Sequence, residues 1–481
     1  MTSIGAKIVS GAAWTAVETW GRQAAMFAIF VVLARHLGPE AFGLAALSMV
    51  VPVILAVPVT IGIPEALIQH PKIESLHFDS AFWLLAASGA VISGLIWMSA
   101  GLIAAAFGQP ILEDLIRWSS VVVVIQALSS VPAAVLKRQL EFRLFALRTL
   151  AGTVVGGTLG IVLVIAGFGV WSMIWMHLAK AAVETAVLLV GSSWRPRLTF
   201  SYAKVRDLLG FGGPLIVQTF WSFLNEEIPK VLLGTFLGPH AVGVYALARR
   251  PFDLLVQVFL GPLMAVTMPT VSRIQDQPEK IDRFFNTTVR IAGIAGFPAF
   301  IGFAAIAPIA VPFIFGPQWA SGVVAVQILM LLGLQRTIDS LCAFTILAMG
   351  HSRLILKLNI AYSVVATMLL SVTAQISLEM TMVALVACGL VLLPVFLFYA
   401  QRIARIDVLR PLEIFPRLAL AALLMFGAVS AWLSSAPEHA AQETLLISAI
   451  VLGAAVYCTA LFVLVRSDLF NARDLFLRLR G

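Results

Sequence analysis

The stretch Leu37-Gly38-Pro39-Glu40-Ala41-Phe42-Gly43-Leu44-Ala45-Ala46-Leu47-Ser48 returns 200 residues later as Leu237-Gly238-Pro239-His240-Ala241-Val242-Gly243-Val244-Tyr245-Ala246-Leu247-Ala248, with seven of twelve positions identical. Chance is a poor explanation for that match, so the chain contains a duplicated unit. The copies join the first apolar run to the second and the seventh to the eighth. Being six runs apart, they give the two halves one orientation, related about the membrane normal. A weaker echo pairs Phe107-Gly108 with Phe315-Gly316, at the end of the third run of each half.

Working outward from the repeat, 60% of the 481 residues are apolar and 12% are charged. That is about half the charge of an ordinary soluble domain. Apolar runs fall at 10–33, 43–67, 81–106, 116–136, 146–167, 170–192, 209–236, 241–268, 288–314, 321–348, 355–375, 381–400, 416–434 and 445–465. Each is near the length of about 20 residues that crosses roughly 30 Å of hydrocarbon as a helix. The reading is an all-α integral membrane protein of about fourteen transmembrane helices. Two six-helix bundles (1–200 and 201–405) are followed by two further helices and a tail (406–481). The first run carries Glu18 and Arg22 and lacks the cleavage pattern of a removable signal, so it stays as the first helix. Cys342, Cys388 and Cys458 lie inside apolar runs without metal or redox spacing and read as buried small hydrophobes, with no disulfide or cofactor implied.

Placing the amino terminus in the cytoplasm puts 23 cations in cytoplasmic loops and their edges, from Lys7 and Lys72 to Arg478 and Arg480, with Arg283, Arg405 and Arg410 among them. Only Arg35 and Arg117 fall on the other side. The positive-inside rule therefore gives both termini to the cytoplasm. The same charges account for the net +8. Lying in short loops beside apolar segments, they face anionic membrane lipids and not nucleic acid.

Several runs carry prolines that remove a backbone donor and kink helices: Pro52, Pro58 and Pro64 in the second run, Pro214 and Pro229 in the seventh, Pro251 and Pro262 in the eighth, and Pro298, Pro308 and Pro312 in the ninth. Repeated bundles that rock against one another are a transporter layout.

A series of short elements, read in order, carries a resemblance: Gly11-Ala12-Ala13-Trp14, Leu33-Ala34-Arg35, Leu37-Gly38-Pro39, Phe42-Gly43-Leu44, Ala66-Leu67-Ile68-Gln69, Ala81-Phe82-Trp83, Gly167-Phe168-Gly169-Val170-Trp171-Ser172, Trp194-Arg195-Pro196, Phe211-Gly212 and Gly243-Val244-Tyr245-Ala246-Leu247-Ala248. Over most of the first 350 residues the chain resembles the polysaccharide transporter family, the Wzx-type lipid-linked oligosaccharide flippases. That family belongs to the multidrug/oligosaccharidyl-lipid/polysaccharide exporter superfamily. The resemblance implies cargo consisting of an oligosaccharide on a polyprenyl diphosphate, turned over in a bacterial inner membrane for lipopolysaccharide or exopolysaccharide assembly, in company with polymerase machinery. The chain departs from the family in the seventh run, where Pro229 stands before Lys230 in place of a common Asp.

Charges at membrane depth are costly and mark function or pairing. Seven cations (Arg22, Lys180, Lys230, Arg249, Arg250, Arg290, Arg336) face seven acids (Glu18, Glu65, Glu184, Glu226, Glu227, Asp253, Asp339) inside the runs. Helical spacing pairs Glu18 with Arg22, Lys180 with Glu184, Arg249 with Asp253 and Arg336 with Asp339. Arg290, near a run's end, reads as snorkelling, and His177 as a packing residue. Arg22 and Arg250 flank the two repeat copies and are the leading candidates to hold a diphosphate, because a guanidinium offers forked donors to phosphate oxygens. Arg249 and Lys230 come next. Glu226 and Glu227, beside Pro229, are candidates for ion coupling, against a salt bridge to Lys230. The rival readings are a multidrug exporter of the same superfamily and a membrane glycosyltransferase or polymerase. The short outer loops count against the latter, and no P-loop points to ATP.

Overall fold

In lipid every backbone N–H and C=O must find a partner within the protein, and a continuous apolar run achieves this only as a helix. The computed structural model describes residues 4–437 and 441–465, with side chains from residue 19 onward except those of 20, 211, 214 and 334. Its elements are helical, with no strand among the described residues. The chain divides into two compact units, Met1–Gly243 and Val244–Gly481.

The first unit contains α1 (Ile4–His36), α2 (Pro39–Leu55), the short α3 (Val57–Thr60) and α4 (Ile63–Gln69), α5 (Ser75–Ala106), α6 (Ile111–Arg138), α7 (Phe142–Ile165), α8 (Trp171–Gly191) and α9 (Tyr202–Phe236). Its core forms around α6, whose Val123, Ala127 and Val131 are fully buried. α7 packs closely on α8 because Gly152, Gly156 and Gly160 clear one face. A Cβ at Gly156 would stand 2.7 Å from the Met176 carbonyl oxygen and one at Gly152 3.0 Å from that of Lys180. Small residues at this spacing let two backbones approach in a membrane.

The second apolar run is a broken helix. Pro39–Leu55 and Val57–Gln69 meet at a bend of 58°, and Gly62 takes a positive φ of 96°, which a side chain resists. Backbone freed by a break inside a membrane must be satisfied by neighbours. Here the Ser130 hydroxyl donates to the Val59 carbonyl at 2.7 Å, and Glu65 Oε2 accepts from the Gly62 N–H at 2.7 Å. The embedded Glu65 is therefore a helix cap. Beyond α4, Arg138 donates to the carbonyls of Leu67, Ile68 and His70 at 2.9–3.0 Å, so this loop cation closes a helix terminus.

Two sequence elements noted separately, Ala81-Phe82-Trp83 and Trp194-Arg195-Pro196, belong to one clamp between α5 and the α8–α9 connection. Buried Asp79 accepts from Trp194 Nε1 (3.1 Å), the Arg197 N–H (3.2 Å) and Thr199 Oγ1 (3.1 Å). Trp83 Nε1 donates to the Arg197 carbonyl at 2.7 Å. At the rim the Lys204 ammonium donates to Glu74 at 2.9 Å and holds that carboxyl below its ordinary pKa.

The two repeat copies meet inside the first unit. A Cβ on Gly43 would fall 1.7 Å from the Pro239 carbonyl oxygen, and one on Gly243 would fall 1.7 Å from that of Pro39. The contact is reciprocal, as a local twofold between copies requires. The copies differ at Gly38 (φ −80°) and Gly238 (φ 79°).

α10 (Gly238–Leu255) begins at the end of the first unit. The second unit continues with a π-helical turn at Val256–Leu260, α11 (Gly261–Arg273), α12 (Pro278–Phe315), a 3₁₀ turn at Pro317–Gly322, and α13 (Val323–Ala348). It ends with α14 (Ser352–Thr373), α15 (Leu378–Ala404), α16 (Phe415–Ser434) and α17 (Gln442–Leu464). One core gathers Phe285, Leu341, Cys342 and Phe396 from α12, α13 and α15. A second gathers Phe297, Leu418, Met425 and Tyr457 from α12, α16 and α17, and Tyr457 donates to the Ile294 carbonyl at 3.1 Å.

Among the described residues eleven helices are long and apolar enough to cross a membrane, or up to twelve if the bent pair is one span, against the fourteen expected. The expected spans 10–33 and 209–236 fall outside that set, although both lie on continuous helices of 33 and 35 residues. In α9 the cause is visible in Asn225, Glu226, Glu227 and Lys230, which interrupt the apolar run. Cys342 and Cys388 are buried, but Cys458 is exposed, which corrects the reading of all three as buried. It sits on the outward side of α17, where an apolar thiol meets lipid without penalty. The prolines divide: Pro52 and Pro58 stand at the helix break and Pro251 and Pro262 bracket the π turn, whereas Pro298, Pro308 and Pro312 lie within an unbroken α12.

Candidate functional site

In the first unit the embedded charges Arg22, Lys180 and Glu184 lie on α1 and α8, which both pack against α7. Gly21 sets α1 against Leu150 of α7, with 3.3 Å left for a Cβ. Arg22 beside it is half-buried. Lys180 reaches from α8 to the Met26 sulfur at 4.0 Å, one turn from Arg22, and the Glu184 side chain lies over Gly152. Lys180 and Glu184, paired by helical spacing, both stand on α8, which packs on α7. The glycine spacing of α7 was the available signal. The Glu18 side chain, expected to pair with Arg22, lies outside the described residues.

On α9 the Lys230 ammonium contacts both oxygens of Glu227, at 2.7 and 2.8 Å, and Glu227 is buried. A buried carboxylate held by an ammonium one helical turn away is a charge-assisted pair. Glu226 is exposed. Next to it the Asn225 Oδ1 is buried without a hydrogen-bond partner among the described residues. The group can therefore exchange charge: any anion drawn to Lys230 competes with Glu227, and any cation drawn to Glu227 competes with Lys230.

In the second unit Arg249 pairs with Asp253 at 3.2 Å, as the spacing implied, and its guanidinium lies 5.3 Å from the Phe252 ring centroid. Arg250 is exposed. Both precede Pro251 and the π turn, a distortion often found at functional positions. Its flanking prolines were the only trace of it in the sequence. Arg336 and Asp339 form no salt bridge among the described residues, contrary to expectation. Arg336 is exposed while the Asp339 Oδ1 is buried without a hydrogen-bond partner; a three-residue step left the two groups at different depths. Arg290 donates to the Arg410 carbonyl at 3.5 Å and lines a polar cleft with Arg283, Arg405 and Arg410. Among the described residues no cluster of three or more His, Cys, Asp or Glu could hold a metal ion.

Long apolar helices, one broken span, a closely packed glycine face and charges kept at membrane depth define a multi-pass membrane transporter. A family profile described as polysaccharide biosynthesis protein matches residues 32–324, and the chain belongs to that family. It is 27% identical over 481 residues to the succinoglycan biosynthesis transport protein ExoT of Rhizobium meliloti, covering 98% of this chain and 96% of the relative. It is 28% identical over 365 residues to the lipopolysaccharide biosynthesis protein WzxC of Escherichia coli, covering 74% of this chain and 73% of the relative. In fold it is similar to the lipid II flippase MurJ in an inward closed conformation, with a TM-score of 0.77 at 14% identity over 94% of this chain and 99% of that one. It is also similar to an inward-facing multidrug resistance MATE family transporter, with a TM-score of 0.67 at 17% identity over 80% and 94%.

Proposed function

We propose that this protein is a flippase that carries a polyprenyl-diphosphate-linked oligosaccharide across the bacterial inner membrane by alternating access, for surface polysaccharide assembly. The observation that carries the reading is the likeness, over nearly the whole chain, to a protein named for succinoglycan transport. Both termini lie in the cytoplasm, the bundles comprise 1–200 and 201–405, and the last two helices and the tail comprise 406–481. A polysaccharide polymerase receives the product. The multidrug reading is not favoured by the named relatives, which are polysaccharide proteins.

Arg22 and Lys230 in the first unit, and Arg249 and Arg250 in the second, are the phosphate-contacting residues of each unit; Glu227 and Asp253, which hold Lys230 and Arg249 in the absence of phosphate, return when it leaves. A charge-assisted contact to phosphate contributes about 1.5–3 kcal/mol. Arg22→Ala and Arg250→Ala are therefore each expected to slow flipping about tenfold or more, with lipid-linked repeat units accumulating in cells that make normal amounts of protein. Full export by both variants refutes the assignment. Glu226 and Glu227 couple the cycle to an ion; flipping in vesicles that ignores both proton and sodium gradients removes that role.

A further inference from the structure

A cleft of about 760 Å³ opens in the second unit between the first turns of α12 and the segment 405–414. α12 has 38 residues, about 57 Å at 1.5 Å per residue, so it outruns roughly 30 Å of hydrocarbon. Its polar first turns, Pro278 to Arg290, therefore stand at the membrane surface. Arg283, Arg290, Arg405 and Arg410 line the cleft with the acids Glu279, Asp282 and Asp407, above a wall of Ile291, Ile294 and Ile414.

The acids brace the backbone. Asp282 Oδ1 accepts from the Asp407 N–H at 2.7 Å, and Asp407 Oδ1 accepts from the N–H groups of Leu409 (3.1 Å) and Arg410 (3.2 Å). Arg283, Arg405 and Arg410 are exposed and enter no ion pair among the described residues, although three carboxylates share the cleft. Arg405 ends α15 in the left-handed conformation, with φ 53°, a common way for a helix to terminate. Asn286 donates from Nδ2 to the Asp282 carbonyl at 2.9 Å, which orients its amide. Its Oδ1 is buried and has no hydrogen-bond partner among the described residues.

We infer that this cleft binds the headgroup of an anionic phospholipid, with the phosphate on the arginines, a headgroup hydroxyl donating to Asn286 Oδ1, and the first acyl carbons against the isoleucines. Phosphatidylglycerol has that chemistry: one negative charge, free hydroxyls and two chains. The site is separate from the proposed cargo residues. It depends on the membrane fold and not on what is transported.

The test is native mass spectrometry of the full chain in detergent with equal amounts of phosphatidylglycerol and phosphatidylcholine. Phosphatidylglycerol is expected to be retained preferentially, and the double substitution Arg283→Ala/Arg410→Ala to lower its retention about tenfold or more, the loss expected for two juxtamembrane cations. Asn286→Asp is expected to lower it as well, by placing a fixed negative charge beside the phosphate. That variant decides the matter if the double variant loses its melting transition. Excess inorganic phosphate is expected to leave the lipid bound; displacement by phosphate overturns the lipid assignment in favour of a free-anion site. Equal retention of the two lipids, or retention untouched by the folded variants, overturns the proposal.

Discussion

Asp79 is a buried carboxylate that no ammonium or guanidinium needs to neutralise. Three donors, an indole, a backbone amide and a hydroxyl, converge on it, and hydrogen bonds to an anion are the stronger kind. Asp79→Ala leaves three donors without their acceptor, at about 1–3 kcal/mol for each that stays buried. Arg197 and Thr199 are exposed, so water can take over their donors and the substitution is expected to cost about 1–3 kcal/mol, read as a fall in detergent melting temperature; an unchanged transition means the clamp contributes nothing. Asp79 was invisible as a special residue in the sequence because it precedes its apolar run and reads as one more loop acid. Its role depends on donors more than a hundred positions away. Arg138 is similar: by sequence a cytoplasmic loop cation, by structure the cap of α4.

Elements in this protein are determined by where glycine allows contact. The crossing of Gly43 with Gly243 leaves no room for a methyl group, since each would meet a backbone carbonyl oxygen 1.7 Å away. Backbone cannot rotate aside as a side chain can, so overpacking there exceeds the usual cost of about 1–3 kcal/mol. Gly43→Ala and Gly243→Ala are each expected to reduce thermal stability strongly. Gly94→Ala supplies the comparison: it lies in α5 with nothing within 4 Å of its Cβ, and alanine there gains about 0.5–1 kcal/mol of helix propensity. Melting measurements that rank the three alike would show that the crossing is not tightly packed. The repeat itself was legible at first sight, since identity along the chain needs no coordinates. That its two copies touch was not, because register between distant helices is set by side-chain clearance that no linear pattern records.

At the scale of the whole molecule, the distribution of charge supports the proposed orientation. Of the 32 cations 25 lie outside the apolar runs, against 17 of the 24 acids, so the net charge belongs to the loops and the interior set is balanced. An even number of spans with cytoplasmic termini places a reporter fused after residue 481 in the cytoplasm. A fluorescent protein there is expected to fluoresce and an alkaline phosphatase to be inactive. The opposite pair of results would mean an odd number of crossings, or an inverted chain, and would undo the alternation of basic loops.

The kind of cargo is only what the family resemblance implies, whereas sequence by itself determined the solvent, the helical class and the duplication. These follow from composition, run length and local identity, which are properties of the chain before it folds. Helical spacing already offered the pairs Lys230 with Glu227 and Arg249 with Asp253; only tertiary structure decided the rest. It left Arg336 without a salt bridge to Asp339, brought Lys180 of α8 to Met26 of α1, turned Glu65 into a cap, and gathered three loop arginines and Arg290 around one cleft. The physical reason is that a charge in or near lipid acts through its immediate partners. Those partners are chosen by how helices pack, and a one-dimensional spacing says only that two groups share a face.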